Sequence, residues 1–232
     1  MTVLAMRSTF PETLDDDDTD LAVYQRCLTE LDRINRLTFA HQPTLRWLNA
    51  ATCGLPAGAW ISVCDVAFGY GDLLRAIARW ADARGLRAQL YGIDLNPRSA
   101  AAARAATPPD MPIRYLTGDV FNHRPDAPYD FVVSSQFTHH LSDDQVVRFL
   151  RWIDTYAELG WHITDLHRRV LPYYGFPVLA RLLGLHSITR TDGAISIARS
   201  FRRGEWQAFA NIAGVKAEIT RAPGFRLCVR SS

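Results

Sequence analysis

From Trp60 to Leu166 the chain alternates between runs that suit strands and runs that suit helices, and this restricts its fold more than any other feature. Trp60 to Val66 is almost continuously apolar, as a strand buried on both faces would be. Gly71 to Ala83 has helical spacing, with Leu73, Leu74, Ile77 and Trp80 on one side. Gln89 to Leu95 reads as a second strand, and Pro97 opens a helix at the position where proline is favoured. Ile113 to Val120 and Phe131 to Ser135 follow as strands. Ser142 caps the next helix, which carries Asp143 and Asp144 in its first turn and runs to about Leu159. Trp161 to Leu166 is a fifth strand. Such alternation predicts a parallel sheet with helices on both faces. Near the end, Ala217 to Arg221 and Phe225 to Arg230 flank the turn Ala222-Pro223-Gly224, and strands so closely joined pair antiparallel. The expected fold is therefore α/β and doubly wound: a mostly parallel, seven-stranded sheet closed by a C-terminal antiparallel hairpin.

The flanking segments read as additions to this unit. Residues 1–57 form an N-terminal tail and helical cap, and 58–232 form the α/β domain. Residues 1–19 look loose, and the acidic run Asp15 to Asp18 reads as a solvated tail complementing the positive end of the next helix. Helices are expected from Asp20 to about Leu37 and from Thr44 to Ala51. An insertion at about 168–203 holds an apolar helix, Val170 to Leu183, then a turn at Thr191-Asp192-Gly193. Another helix is expected from Glu205 to Ala213. The N-terminal helices and the insertion are expected to act as a lid over the site.

Length and charge then exclude some classes of function. A chain of 232 residues, 48% hydrophobic, suits one α/β domain with extra helices. A net charge of +2, with arginines spread along the chain, is not the basic stripe of a nucleic-acid binder. Cys27, Cys53, Cys64 and Cys228 form no C-x-x-C pair and read as free thiols in a reducing compartment. The apolar stretch near Val170 contains Pro172, Pro177 and Arg181 and falls short of the ~20 residues of a membrane span. No signal peptide is evident, so the expectation is a cytoplasmic protein with a small-molecule substrate; the oligomeric state is open.

The chemistry concentrates at the strand ends. Asp65-Val66-Ala67-Phe68-Gly69-Tyr70-Gly71-Asp72 lies where the first strand turns into the first helix. Glycines there allow a sharp turn and a close approach to a ligand, although an unliganded turn also wants them. Ile93-Asp94-Leu95-Asn96 ends the second strand, about 20 residues further on, as in nucleoside-binding units. Asp94 suits the hydroxyls of a ribose; it also suits capping the helix at Pro97. Gly118-Asp119-Val120 places a carboxylate within reach of an adenine amino group, or forms a plain turn. A dinucleotide site wants a third glycine where Leu74 stands, and Asp65 would repel a pyrophosphate but welcome an ammonium group. The pattern favours a cofactor carrying an amino acid and an adenosine.

These residues resemble the class I methyltransferase family, over about residues 58–232. That resemblance implies S-adenosyl-L-methionine as cofactor. It implies Asp65, Gly69 and Gly71 around the methionine part, Asp94 with Leu95 at the ribose, and Asp119 with Val120 at the adenine. Ala67 stands where the family's first glycine is usual. Ser134-Ser135-Gln136-Phe137-Thr138-His139-His140-Leu141-Ser142-Asp143 is similar to a segment of small-molecule methyltransferases of the quinone and polyketide type, and Ser135 joins the cofactor set.

Methyl transfer to a hydroxyl needs the nucleophile held in line and its proton removed, for which histidine is suited near neutral pH. His139 and His167 follow the fourth and fifth strands at the sheet's carboxyl edge and are the candidate catalytic residues. Packing or capping is the alternative role for each, and it is the favoured one for His140. Ser134-Ser135-Gln136 offers no carboxylate to a hard cation; Asp165 and the nearby histidines could form a site, but their spacing is not diagnostic, and no metal is expected. The leading expectation is O-methylation of an aromatic, phenolic or polyketide-like acceptor. C-methylation of a quinone precursor uses the same segment, and Ala67 leaves room for a catalytically inactive partner subunit.

Overall fold

The structure, a computed structural model, describes residues 4–16 and 18–232. Among these, β1 (Trp60–Val66), β2 (Arg87–Asp94), β3 (Ile113–Thr117), β4 (Tyr129–Ser135), β5 (Ala157–Leu166), β6 (Ala217–Ala222) and β7 (Arg226–Ser231) form one sheet, in the order β3-β2-β1-β4-β5-β7-β6. The first five strands pair in parallel, and β7 enters antiparallel between β5 and β6. The chain moves outward from β1 through β2 to β3, then returns to β4 on the other side of β1. That reversal opens a crevice at the carboxyl ends of β1 and β4, where doubly wound sheets bind ligands.

Period-two alternation divides the strand side chains between two cores. Ile61, Val63, Phe131 and Val133 face α2 (Gln42–Ala51), α3 (Asp72–Ala83) and α4 (Pro97–Ala106). Cys64, Val66, Val132, Trp161 and Ile163 face α5 (Asp143–Tyr156) and α8 (Arg203–Ala213), where Phe149, Trp206 and Phe209 fill the layer. Ser142 caps α5 in a capping box with Gln145, as its sequence announces. Of the remaining helices, α1 (Leu21–Leu37) and α6 (Val170–Leu182) meet through Ile34, Phe176 and Ala180, with Leu185 of the following connection, and α7 (Ser187–Arg199) packs on α6 where Phe176 meets Gly193.

Four expectations change. Thr191-Asp192-Gly193 is not a turn but the middle of α7. Gly193 is there because α6 presses Phe176 against it, and a Cβ would collide with that ring. α5 stops at Tyr156, because Ala157 already pairs with Tyr129 as β5 begins. β3 stops at Thr117, and Asp119 folds back to accept from the Phe121 N–H at 2.9 Å. The N-terminal segment is not a loose tail over its described residues. The Thr13 and Leu14 N–H groups donate to Asp192 of α7 at 3.0 and 2.9 Å.

One buried group makes the fold acid-sensitive. His162 of β5 stacks on Trp47 at 5.3 Å and sets Nδ1 3.2 Å from Thr44 Oγ1. Burial, with Arg230 adding repulsion, pulls its pKa down to about 3. The unfolded chain protonates the same ring near ~6.5, so its contribution is complete above that pH and is lost as pH falls toward the folded value. We expect a loss of about 2–3 kcal/mol between pH ~6.5 and ~4.5 from this residue. Urea midpoints across that range should fall less steeply in His162→Gln. An equally steep fall would remove the residue from the explanation.

Candidate active site

The turn from β1 to α3 is built on left-handed backbone. Ala67, Gly69 and Gly71 have φ of 60°, 53° and 71°, values that favour glycine. A Cβ on Gly69 would meet nothing within 4 Å, whereas one on Gly71 would strike the Tyr115 hydroxyl. Gly69 therefore faces open space and Gly71 is enclosed. Ala67 adopts the glycine conformation at a cost of about 1–2 kcal/mol. Ala67→Gly should relieve that strain and give back about 0.5–1 kcal/mol in chain entropy, a net gain of about 0–1.5 kcal/mol. Thermal unfolding should show a small rise in midpoint, and a fall would show that the methyl group packs.

Carboxylates ring this turn. Asp94, at the end of β2, accepts from the N–H groups of Gly69 and Asn96, each at 2.9 Å. Asp94 therefore ties the glycine turn to the next one, and Asn96, not Asp94, caps α4 by accepting from Arg98 N–H. Burial raises its pKa despite those donors. Asp65 is 2% exposed, and its Oδ1 has no hydrogen-bond partner. Burial first, then the nearby charges of Asp72 and Asp94, push its pKa well above the carboxylate range. Asp72 stays below that range despite its burial, because His41 lies 3.0 Å away and Asn35 donates to it at 2.9 Å. Asn35 in turn accepts from Gln136 Nε2 at 2.8 Å, which joins α1 to the end of β4.

Beyond β4 the chain makes a short 3-10 turn, Thr138–His140. Asp165 of β5, 1% exposed, accepts from the His139 backbone N–H at 2.9 Å, from the Thr138 hydroxyl and from the Leu166 N–H at 2.7 Å. His139 Nδ1 lies 2.7 Å from Asp165 Oδ1, and Glu12 sits 3.5 Å from His139 Nε2. Burial opposes charge on His139, but Asp165 and then Glu12 outweigh it and push the pKa up to about 10. The ring therefore holds its proton near neutral pH in this structure. His167 follows β5 and hydrogen-bonds its backbone to Phe225. Burial and the arginines around it pull its pKa down to about 4, but it does not line the cavity.

A cavity of about 620 Å³ begins at the β1–α3 turn and extends beneath the lid. Ala67, Gly69, Ser135, Gln136 and both His139 and His140 form its polar end. Leu28, Leu31 and Ile34 of α1, Leu171, Phe176 and Leu179 of α6, and Ile197 of α7 form its apolar end. Asp65, Asp94, Leu95, Asp119 and Val120 lie outside its wall, although Asp65 and Asp94 flank the turn that forms it. Leu95 is 72% exposed beside Asp94, an apolar surface next to a carboxylate. Sequence reasoning missed Glu12 and Asn35, since neither stands in a motif and the first lies in a segment read as loose. No helix among the described residues is long and apolar enough to cross a membrane.

Residues 63–157 match the model of a methyltransferase domain. That segment, about two fifths of the chain, is a methyltransferase domain. No curated protein sequence matches the chain. Its fold is shared by magnesium protoporphyrin IX methyltransferase from Synechocystis, solved with bound SAH: 18% identity, 93% of this chain, 96% of that one, TM-score 0.60. It is also shared by a SAM-dependent methyltransferase from Aquifex aeolicus, at 15% identity, over 92% and 98% of the chains, TM-score 0.61. The plantazolicin methyltransferase BamL, solved with a desmethylPZN analog and SAH, matches at 11% identity over 86% and 72%, TM-score 0.64. The cofactor of such a domain is S-adenosylmethionine, and the site fits it. The unpartnered, charge-starved Asp65 lacks the cation that an ammonium group provides, and Gly69 leaves its surface open.

Proposed function

We propose that this methyltransferase transfers a methyl group to the hydroxyl oxygen of a small aromatic, phenolic or polyketide-like acceptor, in a reducing, cytoplasmic compartment. The observation that carries this reading is the continuous cavity that joins the glycine turn to an apolar lid. A partly enclosed, largely apolar space with a few convergent polar groups suits a flat small molecule. The four cysteines, all unpaired, agree with the compartment.

S-adenosylmethionine supplies a sulfonium-bound methyl group, electrophilic without further activation. The chain's own residues then bind and orient. Asp65 and the 67–71 turn take the methionine part, Asp94 with Leu95 the ribose, Asp119 and Val120 the adenine, and Ser135 the inner wall. Asp94 has an accepting lone pair left on each oxygen after Gly69 and Asn96 are served. Asp94→Ala should weaken cofactor binding by about 1–3 kcal/mol through lost hydrogen bonds. Unchanged affinity in a calorimetric titration would displace the ribose from this position. His139, held between Asp165 and Glu12, fixes the polar wall at the acceptor end of the cavity.

The reading is tested by incubating the enzyme with methyl-labelled S-adenosylmethionine and a panel of phenols, then fragmenting the products by mass spectrometry. Label on oxygen supports it. Label on ring carbon would replace it with C-methylation.

A further inference from the structure

Glu12 and the adjacent pair His139 and His140, more than a hundred residues away in the sequence, converge on one point of the cavity wall. Glu12 Oε1 lies 3.5 Å from His139 Nε2 and 3.9 Å from His140 Nε2. The three ligand atoms all fall within 4.8 Å of one another. Glu12 is buried, and this oxygen has no hydrogen-bond partner. Each histidine has its other nitrogen engaged by a carboxylate: His139 Nδ1 by Asp165 at 2.7 Å, His140 Nδ1 by Asp15 at 3.1 Å. Both rings are thereby turned so that Nε2 faces Glu12, and an ion bound there displaces to solvent the proton that His139 Nε2 carries without it. Histidines oriented by outer carboxylates, with a third carboxylate beside them, make up the donor set of a metal site.

We propose that Glu12, His139 and His140 bind a divalent transition-metal ion of the zinc class, with its remaining positions open to the acceptor cavity. Ligands at 2.0–2.2 Å around a tetrahedral ion stand about 3.3–3.6 Å apart. The Glu12–His139 pair already has that separation, and His140 must close by roughly 0.3–0.6 Å. Arg199 lies 3.9 Å from the same Glu12 oxygen and 3.6 Å from Asp15. Arg7 and Arg199 both donate to the His139 carbonyl, so with His139 neutral the carboxylates of Glu12, Asp15 and Asp165 face two arginines and leave one negative charge for the ion. Exposed positions on His140 and the cavity give the ion an entry path.

The proposal rests on the O-methylation reading and deepens it. An acceptor hydroxyl bound to the ion gives up its proton to solvent. The oxygen's electron pair forms the new bond to the methyl carbon as the sulfur–carbon bond breaks. That pair returns to sulfur, which leaves as a neutral thioether. Because Glu12 belongs to the N-terminal segment and the histidines to the β4 loop, the ion also fastens one to the other.

The test uses full-length protein stripped with a chelator and titrated with cobalt(II), whose ligand-field absorption reports coordination. A saturable visible band at one equivalent is expected, with affinity at least ~10-fold weaker in Glu12→Gln and in His140→Gln. Protection of the N-terminal segment from proteolysis should follow the same titration. No saturable band, or a band unchanged in both variants, overturns the proposal. S-adenosylmethionine binding by the metal-free protein is measured in parallel. If it persists without a cobalt band, only the metal site fails; if it too is absent, the methyltransferase reading fails with it.

Discussion

Replacing Asp165 with alanine should destabilise the protein by about 3–5 kcal/mol, the cost of breaking a buried ion pair from one side. Asp165 is 1% exposed and serves four donors at once: the His139 ring and backbone, the Thr138 hydroxyl and the Leu166 N–H. Its pKa stays low in spite of complete burial, because His139 and these hydrogen bonds outweigh desolvation. Alanine leaves His139 beside Glu12 alone and strands buried donors in a space too apolar to serve them. The loop that carries both histidines should loosen together with the fold. Urea unfolding at neutral pH measures the change, and a loss below about 1 kcal/mol would mean that the loop relaxes onto other partners.

Asp65→Asn should act in opposite directions on the free protein and on its complex. In the free protein, the buried carboxyl is held among Asp72 and Asp94, and its pKa is raised. A raised acid stabilises the fold fully below the unfolded pKa near ~3.9, and loses that contribution as pH rises toward its folded value. At neutral pH it is a burden, and the neutral amide removes it. The melting temperature of the free variant should therefore rise, most clearly at alkaline pH. Binding of S-adenosylmethionine should weaken by about 2–5 kcal/mol, since its ammonium group loses a buried counter-charge. A variant that is destabilised in both measurements would show that Asp65 is structural and that the methionine part lies elsewhere.

The framework of the fold was legible because its signals are local. Near-continuous apolar runs, Pro97 at a helix start, the Ser142 cap and the Ala222-Pro223-Gly224 turn each act within a few residues. The sequence also located the glycine turn and Asp94. It misjudged the stretch around Gly193, where glycine relieves a crossing with Phe176 from another helix. Local sequence cannot distinguish that from a turn. The polar end of the cavity was partly hidden for a related reason. His139 and Asp165 stand in recognisable segments, but their pairing depends on β4 and β5 being neighbours, and its strength on burial. Glu12 sits in a segment that sequence reads as a loose tail. Hydrogen bonds from Thr13 and Leu14 to Asp192, and from Arg7 to the His139 and Leu141 carbonyls, bring that segment over the site.

The central claim is that the turn from Asp65 to Gly71 binds S-adenosylmethionine and opens onto the acceptor cavity. Calorimetric titration of the purified protein with S-adenosylmethionine, with NAD as control, tests it most directly. The account predicts saturable binding of S-adenosylmethionine at one site and none of NAD. Failure to bind S-adenosylmethionine, or equal binding of NAD, would contradict it.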